Sequence, residues 1–431
     1  MKILFKAIDN SPLIVFRIFF GFLVACESFG AILTGWVKRV LIDPEFTFSF
    51  IGFEWLQPLP GFGMYLYFAL MGIFGLAVMV GYRYRVAIMA YTLLWAGAYF
   101  MQKSSYNNHY YLLLLISFLM IFLPANRYAS IDVKQNRVSE EKTMPYWINL
   151  LFIIQISIVY FYASIAKFYP DWLDGTFTKN LLAGTTTRPF FLELFSQKWF
   201  YLFIAYAGIL FDLLVVPLLL FKRTRTLALL ASLVFHIFNS ITLQIGIFPF
   251  FALTFALFFY EPETIRRIFL RKKPKLEEKF NQNFYGKRIV YFLMIPYLVI
   301  QLILPLRHHF IEGDVLWTEE GHRLSWRMML RERNGYITIK IKDLKTGNVS
   351  IYDYRKNLTD KQAQNLATKP DFIWQYCQRI KEEYKGKPIA IFIDCKNSIN
   401  RKEYKTLIDP KYDMAEAEWD YFGHNEWIVL Q

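Results

Sequence analysis

The chain has 431 residues, a formal net charge of +14, 55% hydrophobic and 19% aromatic residues, and Phe at 43 positions. Soluble domains rarely carry so much Phe, and uncharged apolar runs of about 18 residues or more read as transmembrane helices, so the class is a multi-span membrane protein with a smaller polar part. Much of the positive charge lies in short loops between apolar runs, where it sets topology and meets anionic lipid headgroups; no RNA- or DNA-binding motif accompanies it, and nucleic acid is not expected as a partner.

In chain order the apolar runs predict spans near residues 12–34, 61–82, 86–103, 107–124, 145–167, 199–221, 226–243, 246–261 and 288–306. The first contains Arg17 and Glu27 and lacks a convincing cleavage site, so it reads as a retained span rather than a signal peptide. Thr226–Tyr260 has no charged residue. As one helix it would be roughly 52 Å long, well beyond a hydrocarbon core of about 30 Å, so Gln244-Ile245-Gly246 is read as the break of a helical hairpin.

Nine spans put the termini on opposite sides. With the N-terminus in the cytoplasm, the cytoplasmic segments hold Lys2 and Lys6, then Arg83 and Arg85, then Arg127, Lys134, Arg137 and Lys142, then Lys222, Arg223 and Arg225. The most basic loop follows, with Arg266, Arg267, Arg271, Lys272, Lys273, Lys275, Lys279, Lys287 and Arg288. The opposite loops hold Lys38, Arg39, Lys103, Lys167, Lys179, Arg188 and Lys198. This asymmetry follows the positive-inside rule.

The expected fold is therefore a membrane all-α bundle of about nine transmembrane helices (residues 1–306) with a small exoplasmic α+β appendage (307–431). In the appendage, Tyr336–Asp343 alternates like a strand, Lys345-Thr346-Gly347-Asn348 supplies a turn, and Val349–Tyr352 is a return strand. Residues 359–384 read as helix and Ile389–Asp394 as a further strand. Cys26, Cys377 and Cys395 show no CxxC or zinc spacing; pairing of Cys377 with Cys395 is an open possibility in an oxidising compartment.

Polar residues gather at one predicted membrane face. The fourth span begins there with Tyr106-Asn107-Asn108-His109, the fifth is uncharged from Pro145 until it ends at Lys167, and the seventh rises toward it with Phe235-His236-Ile237-Phe238-Asn239-Ser240. His236 and Asn239 share a helix face, and Gln155 lies three turns below Lys167 on roughly the same face as it. Each has a structural reading: Lys167 snorkels to the interface, one of the two asparagines caps a helix, and His236 with Asn239 bonds between helices. Their coincidence at one depth favours a cavity, because polar side chains are costly in a bilayer. Arg17, Glu27 and Asp212 read as structural ion-pairing groups. Asp171 orients Lys167 or caps the following segment, Trp172 anchors at the interface, and His308 and His309 read as solvated, with no convincing metal ligand set. There is no GxSxG, HExxH, P-loop or Rossmann fingerprint.

The ordered segments SSYNNHYY (Ser104–Tyr111), IVYFYASIAKFYPDW (Ile158–Trp172), VFHIFNS (Val234–Ser240) and LSWRMML (Leu324–Leu330) carry a resemblance, together with VFRIFFG (Val15–Gly21) and Ile408-Asp409-Pro410. Their combination resembles the vitamin K-dependent gamma-glutamyl carboxylases, within the wider group of horizontally transferred transmembrane domain proteins. The resemblance implies an integral-membrane enzyme that oxidises vitamin K hydroquinone, of phylloquinone or menaquinone type, with O2. The oxidation drives addition of CO2 to glutamate side chains of an exported protein or peptide. It further implies Lys167 as the base toward the hydroquinone, with Asn108, His109 and His236 at the active site. A lysine serves as base only once burial lowers its pKa toward roughly 7–8. Asn239 is a candidate cofactor contact; Trp326, Met328 and Met329 are candidates for packing on the quinone ring, a plain apolar interface being the alternative. Two departures stand out: the appendage reads as a short form without the long C-terminal region of vertebrate members, and Ala166 stands where those carry a second lysine. The rival expectation is a non-catalytic membrane protein that binds a quinone or peptide and assists maturation, immunity or transport.

Overall fold

The computed structural model describes residues 2–185, 188–243, 246–276 and 285–431. Helix α1 (Ser11–Leu33) opens with Pro12 in its first turn, where a missing N–H costs nothing. It lies against α2 (Gly63–Val80). A Cβ at Gly21 would stand 2.3 Å from the Met79 amide nitrogen, and one at Gly75 would stand 2.9 Å from that of Ala25. Glycine at both positions is what lets the two backbones approach this closely.

Four more helices continue the bundle: α3 (Tyr84–Phe100), α4 (Asn108–Phe122), α5 (Tyr146–Ile165) and α6 (Lys198–Leu220). Then come α7 (Arg225–Leu243), α8 (Phe248–Thr254, prolonged by a 3-10 turn Phe255–Phe258), the short α9 (Pro262–Phe269) and α10 (Lys287–Phe310). Helix thus occupies every segment expected to span. Among the described residues, five helices are long and apolar enough to cross a membrane: α1, α2, α5, α6 and α10. Helix α4 has 15 residues, and α3 has 17 and carries Arg85. The expected break of the α7–α8 hairpin falls at Gly246, which has φ +63°, but Gln244 and Ile245 lie outside the described residues, as does Lys279 of the basic loop.

The bundle core is aromatic. Phe16 of α1 packs on Phe152 of α5, Phe255 and Phe258 at centroid separations of 4.8, 5.5 and 5.1 Å. Among the described residues Arg17 forms no ion pair; its guanidinium donates to the carbonyls of Ala125 and Ala129 at 3.0 and 2.7 Å and so satisfies the chain just beyond α4. Glu27 accepts from the Tyr110 hydroxyl at 2.8 Å. A two-stranded clip, β1 (Ala7–Asp9) with β2 (Thr143–Pro145), closes the N-terminal end, where the buried Lys273 ammonium donates to Asp9 and Asn10 at 2.6 and 2.5 Å.

The second core belongs to a four-stranded antiparallel sheet, ordered β4 (Val349–Tyr352), β3 (Arg333–Asp343), β5 (Ile389–Ile399) and β6 (Lys405–Thr406). Ile337, Ile339 and Ile341 are buried while Lys340 is exposed, the alternation of a half-covered strand. Helices α11 (Asp360–Thr368) and α12 (Pro370–Glu383) supply the cover. They replace the single helix expected over 359–384, because Pro370 bars continuation. Cys377 and Cys395 are free thiols in this core. Phe48, from the connection between α1 and α2, inserts into it against Phe372 at 4.7 Å, so the sheet domain is seated on the bundle rather than tethered to it.

Candidate active site

The cavity at issue, of ≈ 170 Å³, lies between α5, α6, α7 and α8. Lys167, two residues past the end of α5, is buried and turned inward. Its ammonium donates to the Asp212 carboxylate at 2.5 Å and to the Ala163 carbonyl at 2.9 Å, and stands 5.4 Å from the Trp172 ring centroid. Asp212 is on α6 and equally buried. Lys167 thus faces a buried carboxylate across the cavity wall.

His236 of α7 shares a 3.0 Å hydrogen bond with the Tyr160 hydroxyl of α5, so the interhelical reading of this histidine is realised. Its other nitrogen, Nδ1, is buried with no partner among the described residues. His109 stacks on Phe248 at 3.7 Å, and the same ring meets His236 edge-on at 6.0 Å. Phe248 thus separates the two imidazoles, and both line the cavity with Lys167, Asp212 and Asn239.

Asn107 is the cap of α4, its side chain accepting from the Tyr110 amide at 2.7 Å. Asn108 does not line the cavity. Its carbonyl oxygen accepts from the Tyr106 hydroxyl at 2.9 Å and its amide donates to the Arg327 carbonyl at 2.9 Å. Both ends of the side chain are thus engaged by other parts of the chain.

The Arg327 contact belongs to a strap, residues 324–330, that descends from the sheet domain over the cavity. Leu324, Trp326 and Met329 have positive φ (61°, 56° and 48°), a conformation that costs an L-residue about 1–2 kcal/mol. Anchors offset that cost: the Leu324 amide donates to the Tyr106 hydroxyl at 2.7 Å, Asn108 holds Arg327, and the Tyr169 hydroxyl donates to the Leu330 carbonyl. Met328 and Met329 thereby form part of the cavity wall. Trp326 does not: it is fully buried and stacks on Tyr111 at 4.8 Å.

Asp171 neither orients Lys167 nor serves as a cap; it accepts from Asn400 and Lys402 at 2.8 and 2.6 Å and ties the bundle to the sheet domain. Trp172 is buried and donates to the Ala205 carbonyl at 3.1 Å instead of anchoring at the interface. Gln155 is turned to Tyr297 at 2.6 Å and is not part of the cavity lining. The residues that sequence reasoning missed are Asp212 as the partner of Lys167, Tyr160 and Phe248. Asp212 carried a usable signal: it is the one acidic residue in the 199–221 span, and a buried ammonium needs a counter-charge.

These features define a membrane protein whose helices enclose an ion pair and two imidazoles in an otherwise apolar cavity, roofed by a loop of an α+β domain. The family model for the HTTM domain matches residues 5–263, and that for the vitamin K-dependent gamma-carboxylase lumenal domain matches residues 286–431. The chain belongs to the vitamin K-dependent gamma-carboxylase family. No solved structure matches it.

Proposed function

We propose that the protein is a vitamin K-dependent carboxylase/epoxidase. It couples oxidation of vitamin K hydroquinone by O2 to addition of CO2 to glutamate side chains of an exported protein or peptide. The observation that carries this reading is the buried Lys167–Asp212 pair in an apolar cavity shared with His109 and His236, in a chain matched along most of its length by the family's two domains. The cavity suits a lipophilic quinol: its walls are largely apolar and its few polar groups converge.

Reduced vitamin K supplies, on oxidation, the base strength that removes a carbon-bound proton beside a carboxylate. The chain's own residues prepare that step. Lys167 Nζ takes the hydroquinone hydroxyl proton, and Asp212 stabilises the resulting ammonium, or holds the proton itself so that the amine is free. A pair in a dry cavity exchanges one proton without creating net charge. His236 offers its unpartnered nitrogen and His109 its ring nitrogens to developing negative charge. Asn239 contacts the quinol, Met328, Met329 and Phe248 exclude water, and Asn108 acts through the strap. The molecule has nine spans with a cytoplasmic N-terminus, residues 1–306 form the membrane domain, and residues 307–431 and the active site face the exoplasm, in keeping with the loop charges.

The test uses purified protein in detergent with reduced vitamin K, O2, labelled bicarbonate and a glutamate peptide. Quinone epoxide and labelled peptide are expected from wild type and neither from Lys167→Ala. Epoxide without label leaves only the oxidase half. Failure of wild type to form either product, with Lys167→Ala indistinguishable from it, sinks the enzymatic reading and leaves a binding role.

A further inference from the structure

The site cavity does not stand alone. Ile156, Tyr160 and His236 line it and also line a narrow apolar throat of ≈ 20 Å³. Leu253 and Ala256 line that throat and also line a third space, an almost wholly apolar groove of ≈ 790 Å³ between α1, α8 and α9. The three spaces are thus neighbours in succession, from the Lys167 cavity to the side of α1 where Phe22 is exposed.

The throat is about one water wide, and its smallest lining residues are Ser232, Ala252 and Ala256, beside Val215, Val216 and Leu219 of α6 and the larger Phe255 and Phe259. Its hydroxyls are engaged: Ser232 donates to the Ala228 carbonyl of its own helix at 2.8 Å, and Tyr160 bonds His236 at 3.0 Å. A throat of this kind rejects polar chains and water-bearing headgroups and accepts a thin hydrocarbon.

We infer that the throat and groove seat the isoprenoid tail of the quinol, and that Ser232, Ala252 and Ala256 set which tail lengths are used. The inference rests on the proposed function, since it needs a quinol head in the Lys167 cavity. The competing exit for the tail is sideways between α6 and α7, past Ile204 and Phe238, which also line the site cavity. Each tail methylene buried in the throat multiplies affinity about fourfold, so blocking the throat acts on long tails and spares short ones.

Two measurements decide this. In the first, quinols bearing one or four isoprenyl units are turned over by wild type, Ser232→Phe, the milder Ala252→Leu, and Leu233→Phe as a control on the exposed face of α7. For the two throat variants, the ratio of kcat/KM for the long over the short quinol falls about tenfold or more, equivalent to about 1.4 kcal/mol; the control keeps the wild-type ratio. An unchanged ratio in both throat variants, or equal loss of both substrates, overturns the inference. In the second, wild-type protein binds an oxidised quinone with a diazirine at the end of its four-unit tail. Crosslinks at Phe22 or Phe250 support the path, and crosslinks at Ile204 or Phe238 overturn it. This second readout needs no turnover, so an inactive wild type with a crosslink in the groove refutes the proposed function and keeps the tail seat.

Discussion

The sheet domain and the bundle cavity treat buried charge in opposite ways. In the sheet domain Asp371 accepts from Arg323 at 2.7 and 3.2 Å and pairs with Lys103 at 2.9 Å. Glu319 is likewise held by Arg331 and by Arg333. In the cavity, Lys167 has one carboxylate, and His236 leaves a nitrogen unpartnered among the described residues. A carboxylate clamped by two cations cannot take a proton without stranding both. One that faces a single ammonium can exchange a proton with it at little electrostatic cost. The first arrangement fixes position, and the second is the one that the proposed function uses.

The largest effect is expected where this contrast is sharpest. Lys167→Ala lowers kcat for quinol oxidation by about 10²–10⁴-fold, the usual worth of a positioned base. Asp212→Asn, which keeps shape but removes the charge, lowers kcat by a similar order and alters its pH profile. The double variant is no worse than either single one if the pair acts as a unit. Purely additive losses would show that Asp212 is a structural counter-charge, and the contrast between the two regions would fail.

Next in size is the clamp itself. Burial pushes the Asp371 carboxyl up, but Arg323 and Lys103 outweigh it and hold its pKa at about 2, below the ordinary 3.8. A depressed carboxylate contributes stability that is full above its unfolded pKa and is lost as pH falls through the folded one. The window is therefore from about pH 4 down to about pH 2, and about 2–3 kcal/mol disappears across it. Asp371→Asn removes that slope and destabilises the protein by about 3–5 kcal/mol at neutral pH, since two buried cations lose their partner. Thermal melts of both proteins against pH read this directly; a retained acid slope in the variant assigns the effect elsewhere.

Asn108 tests the boundary between the regions. Its two side-chain ends are bound to Tyr106 and Arg327, so under the proposed function it is expected to position the strap. Asn108→Ala is expected to raise KM about tenfold, the worth of one to two buried hydrogen bonds, with kcat and its pH profile nearly unchanged. A collapse of kcat with KM intact would return Asn108 to the reacting atoms.

How far these features were legible in the sequence follows from their range. Apolar runs report burial along one element, so the helical segments and the alternation at Ile337, Ile339 and Ile341 could be read directly. Lys167 and His236 stood out because polar groups are rare in such runs. What could not be read is pairing across elements: Lys167 with Asp212, or Asp171 with Lys402, join residues far apart in sequence. The strap is visible in the sequence only as a motif, because non-glycine residues at positive φ leave no compositional mark. Asp171 and Trp172 were misassigned for the same reason: their neighbours in the chain suggested roles that the sheet domain and α6 had already taken.

The smallest effect separates stability from chemistry. Thr359 begins α11 with a reciprocal cap: its hydroxyl accepts from the Gln362 amide at 3.4 Å, and its own amide donates to Gln362 Oε1 at 3.0 Å. Thr359→Ala costs about 1 kcal/mol, visible as a melting shift of a few degrees. The cap lies in the clamped region, distant in role from the proton-exchanging pair, so quinol oxidation should not change. If oxidation falls in step with stability, the strained strap transmits looseness from the sheet domain to Met328 and Met329, and the domain that only positions would have to be counted as part of the cavity's working wall.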